Sequence, residues 1–447
     1  MASGSGQWLR PVVRELREES TVDNMSVEAL IARAFEIEPS ITAFTEKMIG
    51  IASENPPGNA YRECVDVLGQ ELRSMGIAHR LFESGGAAGV VQASTGSACP
   101  SGDAPAGQPR YCLMGEYGAG GPLIYFHGHY DVVPGCSPDQ FLPRLDGKKI
   151  WGRGSADMKG GLAAMLGAIR VLQAGGTRLD GRIGIVLVPD EETAGQPGTP
   201  YLMRNGLIDS AALGMFMPEC TSGAVWNSNR GAISLRIRVK GKPAHVGLHF
   251  QGVNAFEKMT QVARELFTLG REVSSRRTAY NVTPEAARDS ILLVGGTVEG
   301  GTNFNLVPGE CAFTVDRRIN PEEDLKEERQ RLLDLFDRAR RAGIDLDVET
   351  LQEGESSGTP EHRPVATILS SCIRAVTGKA PSFEMCPGLC EIRYYASLGI
   401  PAFAYGPGLL EVSHGPDEYV QSDEICRSAA VYALLAMELL RGGAVSP

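Results

Sequence analysis

The sequence predicts an α/β protein with a mostly parallel sheet, into which a smaller α+β domain is inserted. Three observations lead there. The chain has 447 residues, more than the roughly 250–300 at which a single core stops growing, so two domains are expected. Strand and helix patterns alternate through the first half, as parallel strand–helix–strand units require. After Arg230 the pattern changes to half-exposed strands of period two, and alternation resumes near the C-terminus. With 43% hydrophobic and 22% charged residues, the chain has globular composition and is not mainly disordered.

The elements follow in order. Residues 1–25 read as a charged arm without the apolar core of a signal peptide. Helical spacing runs from 26 to 51, and Asn55-Pro56-Pro57-Gly58 stops it. Residues 62–75 form a second amphipathic helix closed by Gly76. Short β-rich runs at 79–82 and 90–92 precede a Ser/Gly/Ala/Pro-rich loop or insertion at 94–109. An apolar run at 122–133, broken by polar residues near its end, is followed by a small-residue helix at 158–174, and the short continuous apolar runs 184–188 and 213–217 fit strands buried on both faces.

Residues 232–240 alternate, with Ile233, Leu235, Ile237 and Val239 on one side. Helices at 254–268 and 323–341 and strands at 290–297, 310–316 and 346–351 complete the small domain. Helix–strand alternation returns at 366–377, 402–405 and 423–441. The expected division is a catalytic domain from 1–230 and 352–447, split by a lid-like domain at 231–351. Strand 232–240 is expected at a sheet edge that a partner would cover.

Other classes are excluded by composition. The formal charge is −11, and no long Lys/Arg block occurs, so nucleic acid is not an expected partner. The longest apolar stretch, 429–440, contains Glu438 and is too short to span a membrane. Ten cysteines are scattered, with only Cys386 and Cys390 close; free thiols in a reducing cytoplasm are expected. Glycine is in excess, 54 residues or about 12% against an average of about 7%, which points to tight turns and close backbone approaches. The Gly-rich 115–121 stretch is followed by a strand and not a helix, so it is no nucleotide loop. No Gly-x-Ser-x-Gly elbow is present.

The chemistry-bearing residues cluster at strand ends. An apolar strand ends in Phe126-His127-Gly128-His129-Tyr130-Asp131. Residues two apart face the same way, so Asp131 can orient a metal-ligating imidazole; His127 and His129 both qualify. Asp157 sits among glycines before the small-residue helix, where it can project into a cleft or merely cap the helix. Asp190-Glu191-Glu192 end another strand, where ligands bind in open α/β sheets; adjacent carboxylates call for a cation nearby. Glu219 follows Met217-Pro218, and His414 lies in a Gly/Pro-rich segment. Together these donors would suit a two-metal site of mixed nitrogen and oxygen ligands, zinc first, with manganese or cobalt as alternatives.

On these motifs the chain resembles the acetylornithine deacetylase / succinyl-diaminopimelate desuccinylase family, two-zinc amidohydrolases related to aminoacylase and glutamate carboxypeptidase. The motifs are His-x-Asp-x-Val-Pro at 129–134, Gly-Arg-Gly-x-x-Asp-Met-Lys-Gly at 152–160, Glu-Glu at 191–192, Gly-x-x-x-His at 241–245 and a late His before Pro-x-Glu at 414–418. The resemblance spans about residues 40–441 and implies a zinc-exopeptidase-like catalytic domain. It implies His129, Glu219 and Asp157 on one zinc, and Glu192, His414 and Asp157 on the other. Asp157 would bridge the two, in a family where a cis peptide often follows. Asp131 would hold His129, and His127 becomes a bystander. Glu191 would be the general base. Two divalent ions against three carboxylates would favour loss of a proton from water near neutral pH.

The resemblance also implies that His245 reaches across a homodimer, formed through the lid, to the scissile carbonyl oxygen. Asn303, Arg318 and Arg393 would contact substrate, the arginines through a carboxylate; surface ion pairs are the plain alternative for both. Glu391 and Cys390 depart from the family's usual residues, as does the segment after His245, which leaves the substrate open. The expected activity is hydrolysis of an N-acyl amino acid or similar small carboxylate-bearing amide. An exopeptidase with the same metals is the alternative, and a non-catalytic binding protein is a third reading.

Overall fold

The protein is described by a computed structural model, which covers residues 26–84, 109–193, 195 and 197–440. The expected arm at 1–25, the β-rich run at 90–92 and nearly all of the insertion at 94–109 lie outside the described residues.

Among the described residues, the main sheet has nine strands. In chain order they are β1 (His79–Ser84), β2 (Arg110–Gly118), β3 (Leu123–His129), β4 (Arg182–Val188), β5 (Gly214–Met217) and β6 (Val225–Asn229). After the second sheet, described below as β7–β10, come β11 (Ser357–Gly358), β12 (Phe383–Cys386) and β13 (Ala402–Ala404). The order across the sheet is β1-β2-β4-β3-β5-β13-β6-β11, with β12 beside β6. The centre is parallel: β3 pairs with β4 and β5, and β5 with β13. Antiparallel strands β1 and β2 flank it on one side.

Both faces are covered, and β3 makes the reason visible. Ile124 and Phe126 enter one core with Leu162, Leu166, Ala429 and Tyr432. The intervening Leu123 and Tyr125 enter a second core with Leu202, Ile392 and Tyr395. A strand clad on both sides reads as a continuous apolar run, so β3 and β4 are legible in sequence. Each buried Leu, Ile or Phe here contributes about 1.5–3 kcal/mol.

The helices are α1 (Val27–Glu36), α2 (Glu38–Ile49), α3 (Tyr61–Ser74), α4 (Gly160–Ala174), α5 (Thr199–Arg204), α6 (Ala255–Val273), α7 (Leu325–Arg341), α8 (Pro364–Thr377), α9 (Ile392–Ser397) and α10 (Ser422–Leu439). The single helix expected over 26–51 is two, parted at Ile37. Pro39 has no N–H to bond the Phe35 carbonyl, so the ladder cannot run through. Helices α4 and α10 pack together on one face. Among the described residues, no helix is long and apolar enough to cross a membrane.

The second sheet contains β7 (Gly231–Lys240), β8 (Ile291–Gly300), β9 (Glu310–Ile319) and β10 (Asp345–Gly354), in the order β8-β9-β7-β10, all antiparallel. Ile233, Leu235, Ile237 and Val239 face a separate core with Val262, Leu266, Leu332 and Phe336 of α6 and α7. The expectation that 232–240 is an edge is overturned: β7 is bonded on both sides, and β8 and β10 are the edges. Alternation reports that one face is solvated, and says nothing about position within the sheet.

Candidate metal centre

Parallel pairing brings the candidate ligands to one edge of the main sheet. His129 ends β3 opposite Val188, which ends β4. Pro189, Asp190, Glu191 and Glu192 follow β4, and Pro218 and Glu219 follow β5, all at the carboxyl ends where open α/β sheets bind ligands. Asp157 lies in the turn Ser155–Lys159 that starts α4, and the Asp157–Met158 peptide is cis. His414 reaches the same place from the segment before the short strand Tyr419–Gln421.

Asp157 occupies the middle. Its Oδ1 is 3.1 Å from Nε2 of His129 and its Oδ2 is 3.2 Å from Nε2 of His414. Glu219 Oε1 is 3.4 Å from the His129 nitrogen, and Glu192 Oε2 is 3.0 Å from the His414 nitrogen. Two triads follow, His129–Asp157–Glu219 and Asp157–Glu192–His414. In each, the donor atoms lie within 4.8 Å of one another, so each could hold one metal ion.

The electrostatics favour cations. Burial, reinforced by Glu192, Glu219 and Glu391, pushes the Glu191 carboxyl well above the ordinary range, against the pull of His129. Burial and then Asp157 push Glu219 up to about 7. Burial also raises Glu192. Glu192 and Asp157 lift His414 up to about 12. Burial pushes His129 down, but Asp131, Asp157 and Glu219 lift it well above its usual value. The imidazolium protons thus stand where cations would, and metal binding displaces such protons. Glu192 Oε1 is buried without a hydrogen-bond partner among the described residues, an acceptor that a divalent ion would satisfy. The donor set of two imidazoles and three carboxylates fits zinc chemistry.

Asp131 ties the two turns together. One oxygen accepts the N–H of Glu191 and the other that of Glu192, both at 3.2 Å, and Oδ1 is 3.4 Å from Nδ1 of His129. Asn55 donates to Asp131 at 3.0 Å and to Thr193 at 2.9 Å. Sequence alone marks Asn55 only as part of a helix stop; a polar amide directly before two prolines is the one signal it offers. Glu418, read only as the end of a motif, accepts the N–H groups of Ala156 and Asp157 at 3.0 and 3.1 Å.

Glycines allow a close approach. A Cβ on Gly161 would lie 2.0 Å from the Pro218 carbonyl oxygen, and one on Gly406 2.4 Å from the same atom. That carbonyl immediately precedes Glu219. Gly161→Ala is therefore expected to cost about 1–3 kcal/mol and to weaken metal binding through Glu219. Unchanged thermal unfolding and unchanged calorimetric metal affinity would contradict this.

The remaining site residues are not all gathered here. His127 is buried away from both triads; its Nε2 pairs with the Glu391 carboxylate and its Nδ1 lies 3.0 Å from the Tyr395 hydroxyl. Glu391 also accepts from Thr199 at 3.0 Å. Arg393 is 3% exposed, donates to the Tyr394 hydroxyl at 2.8 Å, and keeps Nε and one terminal nitrogen without partners among the described residues. His245, Asn303 and Arg318 belong to the segment 231–354 that carries the second sheet. His245 is exposed and accepts the Gly247 N–H at 3.2 Å. Asn303 is exposed and accepts from Phe304. Arg318 is paired with Asp316 at 3.0 Å. Among the described residues, no hydrogen bond or ion pair links these three to the triads.

The chain is similar to several known proteins. The family model described as peptidase family M20/M25/M40 matches residues 125–438. Succinyl-diaminopimelate desuccinylase of Stenotrophomonas maltophilia (strain R551-3) is 28% identical over 341 residues, 73% of this chain and 87% of that protein. Aminoacylase-1 of Sus scrofa is 27% identical over 334 residues, 71% of this chain and 79% of that protein. Among solved structures, the di-peptidase Dug1p of Saccharomyces cerevisiae superposes with a TM-score of 0.72 at 15% identity, over 92% of this chain and 99% of that one. That likeness is one of fold.

Proposed function

Because the chain belongs to peptidase family M20/M25/M40, a family of hydrolases acting on amide bonds, we propose that it is a two-metal deacylase of N-acyl amino acids or similar small carboxylate-bearing amides. One observation carries the proposal: the two carboxylate oxygens of Asp157 face two different histidines, each with its own glutamate. His129, Asp157 and Glu219 would hold one divalent ion, and Asp157, Glu192 and His414 the other. Zinc is the ion this donor set suits best, with cobalt and manganese as substitutes. When bound, such ions polarise an amide carbonyl and make water acidic near neutral pH.

The chain's own residues would do the rest. Glu191 takes the proton of the attacking water and returns it to the leaving amine. Asp131 keeps His129 and the Glu191–Glu192 backbone in register. Arg393, with two guanidinium nitrogens unpartnered, is the carboxylate-binding candidate nearest Glu191, whose charge acts on it.

The division at 231 and 351 and a homodimer through the inserted domain belong to the same proposal. Support comes from exposed Ile291, Leu293 and Val298 on the edge strand β8 and exposed Phe256 and Phe267 on the adjoining α6, a surface that invites a second copy. His245, and with it Asn303 and Arg318, would then act on the partner's site or on closure, His245 stabilising the oxyanion. Among the described residues no disulfide joins the cysteines, which suits the cytoplasm.

The test is a turnover panel of zinc-, cobalt- and manganese-loaded protein on N-acyl amino acids and dipeptides. Chelation is expected to abolish hydrolysis and metal to restore it. Faster cleavage of dipeptides would replace the deacylase reading by an exopeptidase one, and no hydrolysis of any amide would end both.

A further inference from the structure

Glu191 and Glu192 are preceded by a residue in an uncommon conformation. Asp190 has a φ of +67° and is 4% exposed. Asp tolerates the left-handed region better than most residues, but still needs local hydrogen bonds to stay there. Here both its carboxylate oxygens are engaged from outside the turn. Oδ1 accepts the Tyr61 hydroxyl at 2.7 Å, and Oδ2 accepts Arg110 Nε at 2.8 Å. The Asp190 carbonyl accepts the Gly195 N–H at 2.8 Å, closing the turn.

The two donors are themselves held. Arg110 also donates to the Pro57 carbonyl at 2.8 Å, and its guanidinium lies over the Tyr61 ring, 5.0 Å from the centroid. Tyr61 is 2% exposed and meets Tyr130 edge-on, with ring centroids 5.2 Å apart. Tyr130 stands between His129 and Asp131, and its hydroxyl donates to the Tyr111 carbonyl at 2.7 Å. Tyr61 therefore touches the residue after one candidate ligand and the residue before the candidate base. It comes from α3, and Arg110 starts β2; neither element carries any group of the two triads.

We propose that Tyr61 and Arg110 are positioning residues that clamp Asp190, and through it set where Glu191 and Glu192 stand relative to His129. The Asp131 carboxylate grips the same turn by its N–H groups. Tyr61 and Arg110 grip it by the preceding side chain, that of Asp190. Without them Asp190 is free to leave the left-handed region, and a rotation there swings both following carboxylates. Groups behind a metal site commonly act this way, and removing one costs about 10–100-fold in metal affinity or activity.

The inference rests on the reading of Glu191 as base and Glu192 as ligand, and its test separates the two. Arg110→Met, Arg110→Lys and Tyr61→Phe would be compared with the unaltered protein. Zinc affinity is read by calorimetric titration of metal-stripped protein, and kcat and KM on the best amide of the panel. The Met and Phe variants are expected to bind zinc more weakly and to lose kcat about 10–100-fold, with KM near the unaltered value. Arg110→Lys is expected to recover part of both. The Tyr61→Phe change in the Arg110→Met background should add little, since both act through Asp190.

A purely structural role would lower the unfolding temperature while folded protein kept its kcat and zinc affinity, and that result overturns the clamp. Full additivity of the two losses overturns it as well. If the unaltered protein cleaves no amide, the functional reading fails, while the zinc titrations still decide the clamp.

Discussion

Glu191→Gln is expected to lower kcat/KM about 10²–10⁴-fold, the usual range for a lost general base, while bound metal stays at two ions per chain. The physical reason is a division of labour between neighbours. Glu192 faces His414 at 3.0 Å and belongs to a triad, whereas Glu191 belongs to neither. Both carboxylates are buried beside the cluster, and burial lifts both above the ordinary carboxylate range. A metal at the Glu192 position would pull that carboxylate back to its ionised form. Glu191, which belongs to neither triad, would be left to take a proton and give it back. Gln preserves shape and removes only this capacity. Metal analysis on the same sample distinguishes the two roles: loss of one ion with the activity would make Glu191 a ligand, and retained turnover would remove it from the mechanism.

Glu418→Gln is expected to cost about 3–5 kcal/mol of folding stability, because it leaves a buried cation without its counter-charge. Arg153 is 1% exposed, and its guanidinium meets Glu418 at 2.7 Å. It also donates to the His414 carbonyl at 3.1 Å, while the second Glu418 oxygen takes the N–H groups of Ala156 and Asp157. This single ion pair therefore joins the Asp157 turn to the His414 segment, more than 250 positions later. Urea unfolding should give a lower midpoint at an unchanged slope. Replacing both partners, Arg153→Met with Glu418→Gln, is expected to recover much of the loss, since no unpaired charge then remains. A double variant as unstable as the single one would mean that the backbone N–H bonds, and not the charge pair, dominate.

The parts of this protein that could be read from residues alone are the ones encoded over short stretches. The parallel centre of the main sheet was legible because β3 and β4 are apolar on both faces. The candidate ligands were legible because each stands in a short motif at a strand end or beside a glycine. Elements whose character comes from distant partners were not. The strands Val225–Asn229 and Phe383–Cys386 have no periodicity of their own, and they pair with each other across the whole inserted segment. The edge assigned to 232–240 was wrong for a related reason: alternation reflects burial by α6 and α7, whereas sheet order depends on where β9 and β10 return.

The site divides in the same way. His127 and His129 are equivalent by spacing, and only packing separates them: one is paired with Glu391, the other faces Asp157 and Glu219. Arg318 and Arg393 read alike as candidate carboxylate binders, yet one has its own aspartate and the other is buried with nitrogens to spare. Nothing near Tyr61 or Arg110 in the sequence points to Asp190, which is 129 and 80 positions away.

The sequence by itself determined the fold class and the order of the candidate donors along the chain, because short-range pattern and residue chemistry suffice for those. Tertiary structure decided which donors share a centre, which strand is left bare and which buried groups hold the turns in place. Those outcomes depend on contacts between residues that are far apart in the chain, and such contacts leave no local trace.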